Sequence, residues 1–78
     1  MMSINHVETQ ILHHWRDIMK NAELNAMDSF LTQGGNSLHL IKLAALLSKT
    51  LDQHVSPGEI FAAGSVRHLA QHLMEKAQ

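Results

Sequence analysis

The 78-residue chain contains no cysteine, so neither disulfide bonds nor a thiolate metal site can stabilise a fold near the lower size limit for unaided folding. It also lacks a basic excess, because six Lys and Arg stand against seven Asp and Glu, for a formal net charge of -1. Nucleic acid is therefore not an expected partner. With 45% apolar residues, the chain is predicted to form one small domain over residues 1–78, a size that excludes most enzymes.

Long apolar runs are absent as well. The first ten residues, MMSINHVETQ, have no Lys or Arg ahead of an apolar segment of the kind found in secretion signals. The longest apolar stretch is far shorter than the roughly 20 residues of a membrane-spanning helix. We therefore expect a soluble, cytoplasmic protein without membrane contact.

Apolar residues recur every three or four positions over residues 5–20, which predicts an amphipathic first helix. Asn5 is predicted to cap its start, with Glu8 as the reciprocal partner three residues later. The predicted core face comprises Val7, Ile11, Leu12, Trp15, Ile18 and Met19.

Residues 21–36 lose this periodicity and are rich in Asn, Asp, Ser, Thr and Gly, so they are predicted to form a loop. A loop of this length in so small a domain is usually functional. Four apolar residues are expected to attach it to the bundle: Leu24, Met27, Phe30 and Leu31.

A second helix is predicted over residues 37–51, which begin with Ser37 as a potential cap and contain neither Gly nor Pro. At about 100° per residue, its apolar positions form two groups. The broader group, assigned to the core, comprises Leu40, Leu43, Ala44, Leu47 and Leu51. The second group, here named the apolar stripe, is not required by a core alone and consists of Leu38, Ile41 and Ala45.

Two further helix starts follow. The SPGE segment at residues 56–59 matches a capping box with Pro at the first helical position, and it predicts a short helix that ends at Gly64. Ser65 is predicted to cap a last helix. The core positions of that helix are Val66, Leu69, Ala70, Leu73 and Met74. The prediction is an all-α fold, a small four-helix bundle of three long helices and one short helix.

The GGNSL string at residues 34–38 fits neither a nucleophile elbow, which needs a Gly where His39 stands, nor a P-loop, which needs a Lys. Ser37 and His39 are two residues apart on a helix and diverge, which argues against hydrolysis. A Ser at a helix start beside Gly34 and Gly35 suits a phosphodiester-linked group, since free amides and the helix dipole favour phosphate. Alternatively, the glycines only turn the chain and Ser37 only caps the helix.

Seven histidines prompt a search for a metal site. His68 and His72 are four residues apart and share a helix face, as zinc ligands do, but neither a cysteine nor an obvious third ligand accompanies them. Neither a metal site nor a catalytic residue is predicted.

The motifs occur in a characteristic order: Trp15 in the first helix, DSFL at residues 28–31, GGNSL at residues 34–38, an apolar helix, and then Ile60-Phe61 and Ser65-Val66. This order resembles that of the peptidyl carrier (thiolation) domains of nonribosomal peptide synthetases, over nearly the whole chain. The resemblance implies a bundle of the acyl carrier protein-like type.

The resemblance also implies that a phosphopantetheinyl transferase attaches 4'-phosphopantetheine from coenzyme A to Ser37, with Gly35 and Asn36 as the neighbouring cofactor-binding positions. The chain would then tether an aminoacyl or acyl intermediate as a thioester during nonribosomal peptide or hybrid peptide-polyketide biosynthesis. Its lack of cysteine agrees with a thiol supplied by the cofactor. Asn36 stands where many relatives carry Asp or His, which leaves the choice of transferase open, and Leu31 replaces the second Phe of the family pattern.

Fatty-acid carriers present carboxylates on their second helix, whereas residues 38–51 contain no Asp or Glu, so the resemblance favours the peptide-synthetase branch. We expect a non-catalytic monomer whose apolar stripe contacts an adenylation enzyme and condensation, thioesterase or other tailoring enzymes. The alternative is an unmodified helical module that uses the same stripe to bind a partner helix. The sequence does not identify the cargo, and it leaves open whether this is a free-standing protein or a domain of a synthetase, although the initial Met favours the former.

Overall fold

The computed structural model describes residues 3–77, which form four α-helices and no strand: α1 (Ile4–Met19), α2 (Ser37–Thr50), α3 (Pro57–Ala63) and α4 (Val66–Lys76). The predicted all-α bundle of three long helices and one short helix is confirmed. α1 packs against α2 and α4, and α3 bridges the other side by packing against both α2 and α4. In the described part of the chain, no helix is long and apolar enough to cross a membrane.

The start of α1 differs from the prediction by two residues. Ser3, not Asn5, is the cap, and its hydroxyl accepts a hydrogen bond from the His6 N–H at 3.1 Å. Asn5 lies inside the first turn, where its carbonyl accepts from the Thr9 hydroxyl at 2.7 Å. Both residue types are good caps, and the helix begins at the earlier one because the residues between them also adopt helical geometry.

The starts of α3 and α4 agree with the prediction. Ser56 accepts from the Glu59 N–H at 3.1 Å, and the Glu59 carboxylate accepts from the Ser56 N–H at 3.3 Å, which completes the capping box. Ser65 caps α4 by accepting from the His68 N–H at 3.2 Å. These caps satisfy amides that would otherwise lack a partner at each helix start.

Glu59 also joins α3 to the end of α4. Lys76 Nζ donates to both carboxylate oxygens, at 3.0 and 2.8 Å, and His72 Nε2 donates to Glu59 Oε2 at 2.9 Å. These hydrogen bonds, that from Lys76 first, lower the pKa of Glu59 from an ordinary 4.5 to about 2. The carboxylate is therefore a charged link between the two helices.

The core is formed by the predicted apolar faces. Most predicted positions are buried, whereas Leu12, Ile18, Met19, Leu51 and Met74 are only partly buried and pack around its margin. The largest side chains with no more than 1% exposure are Trp15, Ile11, Leu43, Leu47, Ile60, Leu69 and Leu73. Burial of each such side chain contributes roughly 1.5–3 kcal/mol, so this core is the main source of stability.

The segment between α1 and α2 is attached differently from the prediction. Leu24 and Phe30 are buried as expected, but Met27 and Leu31 are 62% and 54% exposed, so the expectation that these two anchor the loop is wrong. Hydrogen bonds replace them, because the loop pairs with the α3–α4 connection through a Phe30 N–H to Gly64 O bond of 2.8 Å.

Candidate functional site

Ser37 is the first residue of α2, and its side chain is exposed. No hydrogen bond from residues 3–77 engages its hydroxyl, in contrast to the hydroxyls of Ser56 and Ser65, which cap helices. The expectation that Ser37 itself caps α2 is wrong, because the cap is the preceding residue, Asn36. Ser37 therefore has no structural hydrogen bond to give up if its hydroxyl is modified.

Asn36 caps α2 through a complete box. Its side-chain oxygen accepts from the Leu38 and His39 N–H groups at 3.0 and 3.2 Å, and its own N–H donates to His39 Nδ1 at 3.1 Å. His39 thus takes the place that Glu or Gln usually occupies in a capping box. Sequence reasoning missed this pairing, although Asn and His three residues apart are a readable variant of the motif.

The Asn36 cap leaves fewer free amides to hold a phosphate beside Ser37 than the sequence predicted. The amides of Leu38 and His39 already donate to Asn36, so among the amides of residues 37–39 only that of Ser37 has no partner in the described part of the chain. The positive end of the α2 dipole remains and favours an attached anion. The site combines a free hydroxyl, one free amide and a helix dipole.

Gly34 and Gly35 have separate roles. Gly34 adopts a positive φ of 93°, which turns the chain into α2 and is disfavoured for other residues. Gly35 instead provides space, since a Cβ at that position would lie 2.6 Å from Trp15 Cη2 and 2.8 Å from the Phe30 carbonyl oxygen. The groups that approach Gly35 closely therefore belong to the protein's own core.

The indole of Trp15 supports the loop beneath the site. It is fully buried and packs edge-on against Phe30, with 4.9 Å between ring centroids, and against His39 at 6.4 Å. The Phe30 carbonyl accepts the Gly35 N–H at 2.9 Å. Core packing from α1 therefore sets the position of the residues just before Ser37.

The predicted division of α2 into two faces is observed. Leu40, Leu43, Ala44 and Leu47 are buried, while Leu51 is half-buried as the cap that follows the helix. The apolar stripe is exposed: Leu38 and Ile41 retain 57% and 51% of their surface, and Ala45 is also exposed. Ser37 and the stripe thus share the outer side of one helix.

Phe61 is an exposed residue to which the sequence prediction assigned no role of its own. It retains 62% of its surface and, with Leu31, borders an open apolar pocket of about 100 Å³ floored by Phe30 and Leu40. Successive residues of a helix lie about 100° apart, and in the short helix α3 Ile60 faces the core while Phe61 faces outward.

The two histidines of the predicted i, i+4 pair make protein contacts. His68 Nδ1 lies 2.9 Å from the Ser65 hydroxyl, and His72 bonds to Glu59. Within residues 3–77, no group of three His, Asp or Glu side chains is arranged to hold a metal ion.

Comparison with known proteins identifies the class. Residues 9–73 match the family model described as "Phosphopantetheine attachment site", so the chain belongs to this family. Family members carry 4'-phosphopantetheine covalently attached to a serine. The exposed, unbonded hydroxyl of Ser37 at the start of α2 fits such an attachment.

The relatives define the class more closely. The chain is 30% identical over 69 residues to bacitracin synthase 3 of Bacillus licheniformis and 31% identical over 72 residues to bacitracin synthase 2 of the same organism. These matches cover 88% and 92% of the chain but only 1% and 3% of those proteins. The chain is homologous to the carrier regions of nonribosomal peptide synthetases and is a phosphopantetheine-dependent carrier.

Two solved structures resemble the fold. One is BlmI, a type-II acyl-carrier-protein from Streptomyces verticillus, with a TM-score of 0.91 at 20% identity over 96% of this chain and 90% of that one. The other is NpsA-ThdA, an artificially fused adenylation-PCP di-domain from Klebsiella oxytoca. It has a TM-score of 0.83 at 45% identity and covers 90% of this chain and 13% of that one. The expected carrier-type bundle is therefore confirmed.

Proposed function

We propose that Ser37 is the residue to which 4'-phosphopantetheine is attached and that the chain carries aminoacyl or acyl intermediates of nonribosomal peptide or hybrid peptide-polyketide biosynthesis. The observation that carries this proposal is the position of Ser37. It is exposed, it follows Gly34, Gly35 and Asn36 at the start of α2, and its hydroxyl makes no hydrogen bond with any of the residues that the structure describes.

Each neighbour of Ser37 has a defined task in the proposal. Asn36 closes the start of α2 with its capping box and so fixes the backbone from which the Ser37 hydroxyl projects. Gly35 allows that backbone to lie against Trp15. When attached, the prosthetic group supplies a terminal thiol that bears the cargo as a thioester, and no side chain of this cysteine-free protein supplies one.

The apolar stripe of Leu38, Ile41 and Ala45 is proposed as the surface that partner enzymes recognise. Its members are exposed and lie within about two turns of Ser37, so an enzyme that contacts them has the attachment site within reach. The proposed partners are a phosphopantetheinyl transferase, an adenylation enzyme, and condensation, thioesterase or other tailoring enzymes. We propose that residues 1–78 act in the cytoplasm as one non-catalytic, monomeric carrier domain.

Intact-mass measurement tests the attachment. Incubation with a phosphopantetheinyl transferase of broad substrate range and coenzyme A is expected to add one phosphopantetheine to the parent protein and none to Ser37→Ala. Ser3→Ala is the matched control, because Ser3 is another exposed serine at a helix start, and it should be modified as the parent is. Modification that persists in Ser37→Ala would refute the assignment, and a parent that gains no mass would favour the unmodified interaction module.

A further inference from the structure

Positive charge is distributed unevenly between α2 and the rest of the chain. Lys42 and Lys49 lie on α2, whereas all seven Asp and Glu residues lie elsewhere. The helix that bears Ser37 and the apolar stripe is therefore cationic, although the whole chain has a formal net charge of -1.

Outside α2, every Lys and Arg side chain except that of Lys20 forms an ion pair or a hydrogen bond within the protein. Arg67 pairs with Glu8 at 3.3 Å, Lys76 pairs with Glu59 at 2.8 Å, and Arg16 Nε donates to the Leu24 carbonyl. Within residues 3–77, neither lysine of α2 has an ion pair or a side-chain hydrogen bond. Their ammonium groups are thus available to a molecule outside the chain.

Helix geometry places both lysines beside the apolar stripe. Lys42 is one turn after Leu38, and Lys49 is one turn after Ala45, so each lysine adjoins one stripe residue. Their seven-residue spacing puts them about 10 Å apart along the axis and only about 20° apart around it. Together they form a cationic edge along the side of the stripe that faces away from Ile41.

A structural role explains only one of the two lysines of α2. Lys49 lies in the last turn of α2, where a cation complements the negative end of the helix dipole. Lys42 lies in the middle of the helix and is exposed, so neither the dipole nor a pairing partner among the described residues explains it. A surface composed of an apolar stripe with a cationic edge is complementary to an apolar patch flanked by carboxylates.

We propose that Lys42 and Lys49 pair with carboxylates on the adenylation enzyme that loads this carrier, an inference that rests on the proposed function. An adenylation domain is the favoured partner because the solved relative at 45% identity is a PCP studied in an artificial fusion with one. The same edge disfavours enzymes whose docking surfaces are basic, since like charges then face each other across the contact. The lysines thereby contribute to partner choice, while the apolar stripe supplies the buried contact.

The test compares charge-reversed variants in a loading assay. The parent, Lys42→Glu, Lys49→Glu and the double variant are first converted to the holo form, which mass spectrometry verifies independently of docking. Loading by the adenylation part of the Klebsiella oxytoca di-domain is then measured in about 20 mM and about 500 mM salt, concentrations that bracket weak and strong screening. Lys20→Glu is the matched control, because it makes the same charge change on an exposed lysine outside α2.

At low salt, kcat/KM for loading of the double variant is expected to fall roughly tenfold, because KM rises while kcat stays the same. High salt should remove most of this difference from the parent. Lys20→Glu should load as the parent does, and all variants should remain folded at the assay temperature, with those that carry Lys49→Glu slightly less stable because a carboxylate then lies at the negative end of the α2 dipole. Equal or faster loading of the double variant, or a loss that salt does not relieve, would overturn the proposal. So would failure of this enzyme to load the parent holo protein. Failure to attach phosphopantetheine to the parent protein would instead refute the proposed function.

Discussion

Replacement of Gly35 by Ala tests whether close packing beneath the attachment site limits what this position accepts. The added Cβ would lie 2.6 Å from Trp15 Cη2 and 2.8 Å from the Phe30 carbonyl oxygen. Neither contact is with the end of a flexible side chain, so the ring and the loop must both move. Overpacking of a well-packed site costs about 1–3 kcal/mol, and we expect about 2–3 kcal/mol here. In a domain of this length, that corresponds to a fall in Tm of roughly 8–24 °C.

Gly58→Ala is the matched control for this prediction. A Cβ at Gly58 would meet only the Ser56 hydroxyl, at 3.9 Å, and the position lies in α3, where Ala is the better helix former. Thermal unfolding followed by circular dichroism should therefore show Gly35→Ala well below the parent and Gly58→Ala at or above it. The reasoning is refuted if Gly35→Ala melts at the temperature of the parent.

A double-mutant cycle identifies the cause. Trp15→Phe removes the ring atoms nearest to the new Cβ, and because Trp15 Nε1 has no hydrogen-bond partner among residues 3–77, the change breaks no hydrogen bond there. In the Trp15→Phe background, the penalty of Gly35→Ala should shrink by about 1 kcal/mol. The remaining penalty reflects the Phe30 carbonyl. An unchanged penalty would show that the indole is not the obstacle.

Two further predictions concern the stripe and the response to acid. Ile41→Asp should change the free energy of unfolding by less than about 0.5 kcal/mol, yet it should slow loading by the adenylation enzyme. The buried control, Leu47→Ala, should lower the free energy of unfolding by about 2–5 kcal/mol. A large fall in the Tm of Ile41→Asp would show that the stripe belongs to the core. Because folding lowers the pKa of Glu59 from 4.5 to about 2, its stabilisation is present above about pH 4.5 and is lost as the pH falls towards 2. Glu59→Gln should therefore flatten that part of the pH-stability curve measured by urea unfolding, and an unchanged acid limb would contradict the contribution of the Lys76 and His72 bonds.

The predicted site residues differ in how much local pattern determined them. The sequence predicted the outward side of α2 correctly, because Leu38 and Ile41 lie outside the core face when successive residues are placed about 100° apart around the helix. The identity of the α2 cap was less readable, since Asn36 and Ser37 are both good capping residues and either could begin the helix. The His39 ring decides in favour of Asn36, because it accepts the Asn36 N–H and so completes the box one residue earlier.

The intervening loop shows where local pattern is insufficient. Leu31 and Met27 are as apolar as Leu24 and were predicted to be anchors, yet they are exposed. Which loop residue faces inward depends on the pairing of Phe30 with Gly64, which lies more than thirty residues away in the chain. That contact cannot be predicted from the spacing of apolar residues within the loop. The exposure of Leu31 in turn creates the rim of the pocket beside Phe61.

Local pattern is enough to predict the four helices, their order, the core faces and the position of Ser37 at a helix start, because capping and helical periodicity act within a few residues. Two contacts appear only in the folded chain: Gly35 leaves space for Trp15, twenty residues earlier, and Glu59 binds Lys76 across two helices. Those contacts depend on how α1 packs against the loop and how α3 meets α4. Packing of this kind brings together residues that are distant in sequence, so no local pattern encodes it.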